Sequence, residues 1–355
     1  MSAATFPTGA DLNTIDGRVV AAGRIGRARR RRVIYVVLGA IAFGLFAVSL
    51  MVGNTFYGPG EVIRVILGEQ VPGAEFTVGR LRLPRAVLGI LAGAAFGLGG
   101  VTFQTMLRNP LASPDVIGIS SGASAAAVFA IVALGVRGGT VSLVAIVAAL
   151  VTAGVIYLLA YKDGVVGTRL ILVGIGIAAM LDSVVSYVLI RAAVWDLQTA
   201  MRWLTGSLNS ANWSAVLPLA LALIVFAPLL IGRGKDLSLM QLGDDAAVAL
   251  GVNAERTRII TIVCAVALVA FATAAAGPIA FVAFLSGPIA ARILGDGSSR
   301  MIPAALVGAV LVLAADLAGQ FAFGNRYPVG VVTGALGAPY LVYLLIRTNR
   351  AGGSL

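Results

Sequence analysis

Two carboxylate side chains, Asp182 and Asp316, lie inside the long apolar runs of this sequence. An ionisable group in hydrocarbon is costly, and such groups often belong to proton or ion pathways. The same runs contain no Lys, Arg or His that could serve as a partner. We therefore expect both aspartates to hydrogen-bond between helices or to lie near a polar lumen. The sequence supports gradient-driven transport only weakly.

Side chains for enzymatic chemistry are scarce. The 355 residues include no histidine and a single cysteine, Cys264, within an apolar run. The chain therefore cannot form an internal disulfide or a His/Cys metal cluster. A P-loop needs Gly-Lys followed by Ser or Thr, whereas Gly234 and Lys235 precede Asp236. We expect no catalysis, no cofactor and no bound metal, so the energy for any work comes from a partner or a gradient.

The composition is that of a membrane protein, because 59% of the residues are hydrophobic, 12% are charged and the mean hydropathy is +0.99. A helix needs about 20 residues to cross a bilayer. Suitable runs cover residues 33–53, 86–107, 116–136, 138–160, 170–190, 213–232, 259–291, 301–323 and 327–346. The run 259–291 is too long for one crossing and contains Gly277-Pro278, so it is divided in two. The sequence predicts an all-α polytopic membrane protein with about ten transmembrane helices.

The net charge of +11 comes from Lys and Arg residues that lie between the apolar runs. This placement is typical of topology signals and not of a nucleic-acid surface. Ten crossings place both termini and most basic residues in the cytoplasm. We expect residues 1–32 to be a disordered basic tail, residues 33–349 to form the membrane domain and residues 350–355 to be a second cytoplasmic tail.

The longest polar interruption late in the chain is the segment Gln241–Arg258. Asp244 and Asp245 suit the first turn of a helix, and Gly251 suits its end. The sequence therefore predicts a short amphipathic helix, which either lies on the membrane or docks into a partner protein.

Two further polar motifs flank the second span. Two prolines within residues 108–115 predict a tight turn, for which an ordinary helix hairpin and a gating role are both open. Arg82 and Arg85 stand at the other end of this span. They either anchor the helix end or pair with the carboxylates of a partner.

Five ordered blocks carry a family resemblance. They are RLPRAVLGILAGAAFGLGGVTFQTMLRNPLASPDVIGISSGAS, WLTGSLNSANW, LGDDAAVALGV, GPIAFVAF and YPVGVVTGALGAPYLVYLL. With these blocks the chain resembles the FecCD family, the permease subunits of binding-protein-dependent ABC importers for iron siderophores and vitamin B12. The resemblance implies the type II ABC importer permease fold, with ten helices per subunit. It also implies two permease subunits around a central pathway, separate ATPase subunits and an extracytoplasmic binding protein.

The resemblance also assigns site residues. The segment 236–256 contains the coupling helix that fits the ATPase, with Leu242, Gly243, Asp244, Asp245, Ala249, Leu250 and Gly251. The contacts for the binding protein are Arg82, Arg85 and Arg326. The cytoplasmic gate is expected at Asn109, Leu111, Gly167 and Thr168. Many members have Pro-His near the eighth helix, where this chain has Gly287-Pro288, so any role of that histidine is absent.

The expected function is import of a ferric siderophore across the cytoplasmic membrane, in the enterobactin-type group of the family. The expected partners are ATPase subunits, a siderophore-binding protein, a second and different permease chain, the ferric siderophore and membrane lipid, but no nucleic acid. Transport of vitamin B12 or haem is the alternative within the family. A gradient-driven secondary transporter is the alternative outside it.

Overall fold

The computed structural model describes residues 17–115, 117–161, 167–295 and 299–350. Within these ranges the chain forms helices that are joined by turns. The helices are α1 (Gly17–Met51), α2 (Pro59–Ile66), α3 (Leu83–Met106), α4 (Ile119–Val132), α5 (Gly139–Ala160), α6 (Gly167–Ile190), α7 (Val194–Leu204), α8 (Trp213–Gly232), α9 (Gly234–Met240), α10 (Asp244–Ala249), α11 (Ala254–Ala276), α12 (Val282–Leu294), α13 (Met301–Phe321) and α14 (Val329–Arg350). A π-helical segment, Glu75–Arg82, leads directly into α3.

Seven described helical segments are long and apolar enough to cross a membrane. Three shorter apolar helices, Ile119–Val132, Val282–Leu294 and Val329–Leu344, accompany them. Together they give the architecture of about ten membrane helices that the hydropathy pattern predicted.

The predicted interruption of the overlong apolar run is confirmed. α11 ends at Ala276 and α12 begins at Val282. At the break, Gly277 has a positive φ of 72°, a conformation that glycine adopts easily. The backbone N–H of Ser207 donates to the carbonyl of Ala276 at 2.7 Å. This bond satisfies a carbonyl that the helix end leaves open.

The first helix is longer than the sequence suggested. We expected residues 1–32 to be disordered, but α1 begins at Gly17 and continues into the first span. Residues 1–16 lie outside the described residues. Ala and Arg are strong helix formers, and extending an existing helix is easier than starting one. The Ala- and Arg-rich stretch before residue 33 therefore continues the helix of the span that follows it.

α3 lies at the centre of the bundle, and 78% of its most apolar window is buried. It packs against α13, α11, α12 and α8. A Cβ on Gly93 of α3 would overlap the carbonyl group of Gly308 in α13. Helices in lipid associate through close packing, since water exclusion is absent there. The lack of a side chain at Gly93 therefore allows this close contact between α3 and α13.

Contacts among the described connecting segments place them in two groups, one at each end of the bundle. The α2 end contains α2, the π-helical segment, α7 and the connection from α13 to α14. The α10 end contains α9, α10 and the α3–α4 turn, residues 107–118, of which residue 116 lies outside the described ranges. The residues singled out in the sequence as a site lie at or near these two ends.

Candidate functional site

The predicted coupling segment forms two short helices at the α10 end, α9 and α10. Asp244 and Asp245 lie in the first turn of α10, as the sequence predicted. Gly251 follows the helix with a φ of +86°, which favours glycine and ends a helix. The short helix predicted within Gln241–Arg258 is therefore confirmed.

α10 is only partly packed against the rest of the chain. Ala247 is buried, whereas Leu242 is 68% exposed, Val248 59% and Leu250 60%. Exposed apolar side chains clustered in a connecting segment are typical of a contact surface. The coupling segment therefore presents apolar side chains that no described part of this chain covers.

Asp244 joins α10 to two neighbouring elements. Its Oδ1 accepts a hydrogen bond from Arg108 Nη2 at 3.1 Å, and its Oδ2 accepts one from Arg258 Nη2 at 2.8 Å. Arg108 belongs to the α3–α4 turn and Arg258 to α11. One carboxylate thus connects the coupling helix with the turn that carries two of the predicted gate residues.

Asn109 shapes the α3–α4 turn. The N–H of Leu111 donates to Asn109 Oδ1 at 2.8 Å, which is an Asx turn. The N–H of Asn109 donates to the carbonyl of Gln104 at 3.1 Å and so closes the end of α3. Asn109 and Leu111 are both half-buried. The predicted tight turn is confirmed. Asn109 stabilises this turn through its hydrogen bonds, and its gating role stays a prediction.

Asp115 lies near the end of the same turn. Ser120 Oγ donates to Asp115 Oδ1 at 2.5 Å. Burial raises the pKa of the Asp115 carboxyl, and the hydrogen bond from Ser120 acts in the opposite direction. This bond ties the end of the turn to the first residues of α4.

A cavity of about 260 Å³ lies between the α3–α4 turn and the coupling segment. The turn contributes Arg108, Asn109 and Pro110 to its lining, and the coupling segment contributes Gln241. α12 contributes Gly287 and Pro288 among others. The structure therefore brings the predicted gate residue Asn109 and the predicted coupling segment to the walls of one cavity.

Gln104 of α3 forms part of the same wall. Pro288 has no N–H, so the carbonyl of Phe284, four residues earlier in α12, lacks its helical donor. Gln104 Nε2 donates to this carbonyl at 2.9 Å. A Cβ on Gly287 would overlap the Gln104 side chain. Because an unpaired carbonyl is costly in a membrane, Gln104 holds α3 and α12 together beside the cavity.

The second predicted gate pair lies elsewhere at the α10 end. Gly167 is the first residue of α6, and Thr168 after it is exposed. Neither residue is among those that line the cavity. The α3–α4 turn meets α6 farther along, where Gly118 lies against the carbonyl of Gly174. A gate formed by Gly167 and Thr168 stays a prediction.

The structure corrects the expectation that Asp316 has no cationic partner. Arg85 Nε and Nη2 donate to Asp316 Oδ2 and Oδ1 at 2.9 and 2.8 Å. Gln320 Nε2 also donates to Asp316 Oδ2, at 2.8 Å. Asp316 is only 4% exposed, and a buried carboxylate of this kind requires a bonded partner. Arg85 precedes the predicted second span, but the close contact of α3 with α13 brings it to Asp316.

Arg82 and Arg326 lie at the α2 end and bond to the last residues of α1 and to the chain that follows it. Arg82 donates to the carbonyls of Leu50 and Met51 at 2.9 Å each and to that of Thr55 at 2.6 Å. Arg326 is exposed, and its Nη2 donates to Asn54 Oδ1 at 2.8 Å. Of the three predicted docking residues, Arg326 is therefore the most open to a partner.

Asp182 has the opposite environment to Asp316. It is exposed on α6, the candidate span with the smallest buried share, 11%. Within the part of the chain that the structure describes, its side chain makes no hydrogen bond or ion pair. Ser183 and Ser186 are exposed beside it. A carboxylate facing lipid is costly, so this face of α6 requires water or another protein against it.

Sequence reasoning missed the contacts that Arg108, Arg258 and Gln104 make at this site. Arg108 and Gln104 bond to partners 136 and 180 residues away in sequence, so residue spacing could not reveal either contact. Pro288 gave one usable signal, because a proline inside a membrane helix leaves a carbonyl that needs a donor. Among the described residues, no group of three or more His, Cys, Asp or Glu side chains is placed to hold a metal.

The seven long and three shorter apolar helices of the described residues place this chain among the polytopic membrane proteins. A solved structure with the same fold is a metal-chelate type ABC transporter in an inward-facing conformation. It covers 88% of this chain and 99% of its own, with a TM-score of 0.79 and 25% sequence identity.

The sequence profile of the FecCD transport family matches residues 40–347. The chain belongs to this family, and it is a transport subunit and not an enzyme. It is 41% identical to the ferric enterobactin transport system permease protein FepG of Escherichia coli over 321 residues, which are 89% of this chain and 96% of FepG. It is 37% identical to the achromobactin transport system permease protein CbrC of Dickeya dadantii, over 89% of this chain and 94% of CbrC.

Proposed function

We propose that this chain is the permease subunit of an ATP-driven ABC importer that moves a ferric siderophore across the cytoplasmic membrane. Membership of the FecCD transport family supports a transport role, and the name of the relative at 41% identity supports a ferric siderophore as cargo. The observation that carries the proposal is α10, an element with exposed apolar side chains that is ion-paired to the α3–α4 turn. Such an element receives motion from a partner and passes it to the bundle.

The proposed assembly has a different partner at each end. At the α10 end, which lies in the cytoplasm with both termini, a separate ATPase contacts Leu242, Gly243, Asp245, Ala249, Leu250 and Gly251 within the segment 236–256. At the α2 end, an extracytoplasmic siderophore-binding protein docks, with Arg326 as its principal contact beside Arg82 and Arg85. A second, different permease chain and membrane lipid cover the remaining surface of residues 33–349.

The proposed mechanism is alternating access. ATP binding closes the ATPase pair, displaces the coupling helices and tilts the helix bundles, so that the pathway opens to one side at a time. Asn109 and Leu111, with Gly167 and Thr168, form the cytoplasmic gate in this scheme. Iron travels inside its chelator, so the transport step uses no protein ligand to the metal.

The structure weakens the case for a gradient-driven transporter. Asp316 is bonded to Arg85 and Gln320, which accounts for its place in the membrane by packing. Asp182 is then the one described acid in the spans without such a partner. The permease features described above do not distinguish a ferric siderophore from vitamin B12 or haem as cargo. Uptake measurements with a panel of these ligands distinguish them.

The test expresses this chain with its ATPase and permease partners in a strain whose own copy of the chain has been deleted. We expect uptake of radiolabelled ferric siderophore that stops when the ATPase loses hydrolysis, with no uptake of labelled vitamin B12 or haem. Uptake by the purified chain alone, driven by a proton or sodium gradient in proteoliposomes, contradicts the proposal.

The docking surface is tested by Leu250→Glu, which places a charge among the exposed apolar side chains of the coupling segment. Because that surface is proposed to be buried against the ATPase, we expect the variant to lose most of the co-purifying ATPase and of the uptake. The matched control is Leu67→Glu at the α2 end, where Leu67 is 74% exposed. Equal ATPase recovery with the two variants contradicts the assignment.

A further inference from the structure

The ion pairs of Asp244 point inward, to this chain itself. We name Asp244, Arg108 and Arg258 the Asp244 cluster. The two carboxylate oxygens of Asp244 have separate partners, Arg108 on Oδ1 and Arg258 on Oδ2. Arg258 is 17% exposed, while Asp244 and Arg108 are each 47% exposed. The cluster therefore joins α10 to α11 on its more buried side and to the α3–α4 turn on its more open side.

A cavity lies beside the connection between α10 and the α3–α4 turn. α10 packs against α9 and the start of α11. The cavity of about 260 Å³ lies between the turn and Gln241 of the coupling segment. Side chains that face this void lack dispersion contacts on that side. The bond from Arg108 to Asp244 is a direct polar contact between the turn and α10.

Arg108 also occupies an unusual backbone conformation. Its φ is +51°, in the left-handed region that non-glycine residues rarely adopt. It stands between the last turn of α3 and Asn109, whose side chain shapes the turn. A force on the Arg108 side chain therefore acts on a backbone that is not in its most stable conformation. This backbone lies next to the predicted gate residue Asn109.

We propose that Asp244 is a positioning residue that transmits the movement of α10 to the α3–α4 turn through Arg108, while Arg258 fixes its second oxygen to α11. This inference rests on the proposed function, in which α10 takes up motion from an ATPase. The resemblance assigned Asp244 to the ATPase contact. In this inference Asp244 instead contacts arginines of its own chain, and the exposed side chains around it contact the ATPase. A half-exposed ion pair adds little to folding stability, so loss of the cluster affects transport more than stability.

The experiment measures siderophore transported per ATP hydrolysed by the complete transporter in proteoliposomes. We expect Asp244→Asn to keep ATPase recovery and hydrolysis but to lower transport per ATP by about fivefold or more. Arg108→Gln also lowers transport per ATP, and the double variant is no worse than Asp244→Asn alone, because both changes remove the contact between Arg108 and Asp244. Asp244→Glu, which keeps the carboxylate, restores part of the transport.

A control variant separates this effect from the loss of any exposed ion pair. Glu69→Gln removes the Arg64–Glu69 pair, whose side chains are 58% and 52% exposed at the α2 end, and it leaves transport per ATP unchanged. Three results overturn the inference: normal coupling in Asp244→Asn, a fall in ATPase recovery that matches the fall in transport, or losses that multiply in the double variant. If the unmodified chain neither binds an ATPase nor transports with ATP, the proposed function itself fails, which is a different result.

Discussion

Asp182 and Asp316 have the same side chain inside the same kind of apolar helix, but they have opposite surroundings. Asp316 is buried and receives three hydrogen bonds from Arg85 and Gln320. Asp182 is exposed on α6. The charge of Asp316 is thus compensated within the chain, whereas that of Asp182 requires compensation from outside it. Of the two, only Asp316 has the features of a purely structural acid.

The Arg85–Asp316 pair gives a prediction for stability. Arg85→Gln leaves the Asp316 carboxylate buried without its cation, which costs about 3–5 kcal/mol. We expect a lower temperature of thermal unfolding for the purified protein, and recovery in the double variant Arg85→Gln/Asp316→Asn, where neutral groups face each other. Arg64→Gln, which breaks an exposed pair, is the control with a change of about 0–1 kcal/mol. A double variant no more stable than Arg85→Gln contradicts this account.

The Arg85 result also affects the choice of docking variants. Charge reversal at Arg85 breaks a buried pair, and a change at Arg82 releases the carbonyls of Leu50 and Met51 at the end of α1 and that of Thr55 after it. Weaker docking in either variant then has a structural explanation. Arg326 donates to one neutral side chain, and it is the informative position.

Among the elements, the open faces of the peripheral helices differ in chemistry. The exposed side chains in the middle of α5 include Leu143, Val147, Leu150 and Val151, and those of α8 include Leu217, Leu221, Ile224 and Val225. α6 exposes the polar side chains of Asp182, Ser183 and Ser186 among apolar ones such as Met180 and Val184. Apolar faces suit lipid and polar faces do not. The sequence places Asp182 within a span, but only the structure shows that this side chain lies on an open face of α6.

This difference predicts that the α6 face is shielded from lipid in the assembled transporter. Spin labels are attached at Ser183→Cys on α6 and Val147→Cys on α5, two positions at similar distances from the α2 end, with Cys264→Ala as background. We expect a lower collision rate with oxygen, which concentrates in lipid, for the label on α6 than for the label on α5. Equal oxygen accessibility at both positions would show that α6 faces lipid.

At the scale of the whole molecule, the two ends of the bundle differ in how firmly their segments are held. At the α2 end, Arg82 joins the π-helical segment to the end of α1 and to Thr55, and Arg326 joins the α13–α14 connection to Asn54. At the α10 end, a cavity lies beside the turn and Gln241. A tied end suits a docking platform, and an end with internal space suits relative movement.

The tied end gives a prediction for docking. Arg326→Glu places a negative charge where acidic residues of the binding protein are expected, so we predict that affinity falls by about tenfold or more, with ATPase recovery unchanged. Binding of the purified binding protein to the transporter in nanodiscs measures this. Asn54→Ala removes the same internal hydrogen bond but keeps the arginine, and it leaves affinity unaffected. Normal affinity in Arg326→Glu would exclude Arg326 as a contact.

The amino-acid sequence by itself determined the all-α class, the helix count, the break at Gly277-Pro278, the turn after α3 and the short helix at Asp244. These features depend on local properties: apolar run length, backbone limits of proline and glycine, and charge in a first turn. Only the tertiary structure decided that Arg85 pairs with Asp316 and that Asp244 binds Arg108. It also decided that Gln104 donates to the Phe284 carbonyl, which Pro288 leaves without its helical donor. Such contacts join helices distant in sequence, and their partners follow from how closely the helices pack, which residue spacing does not encode.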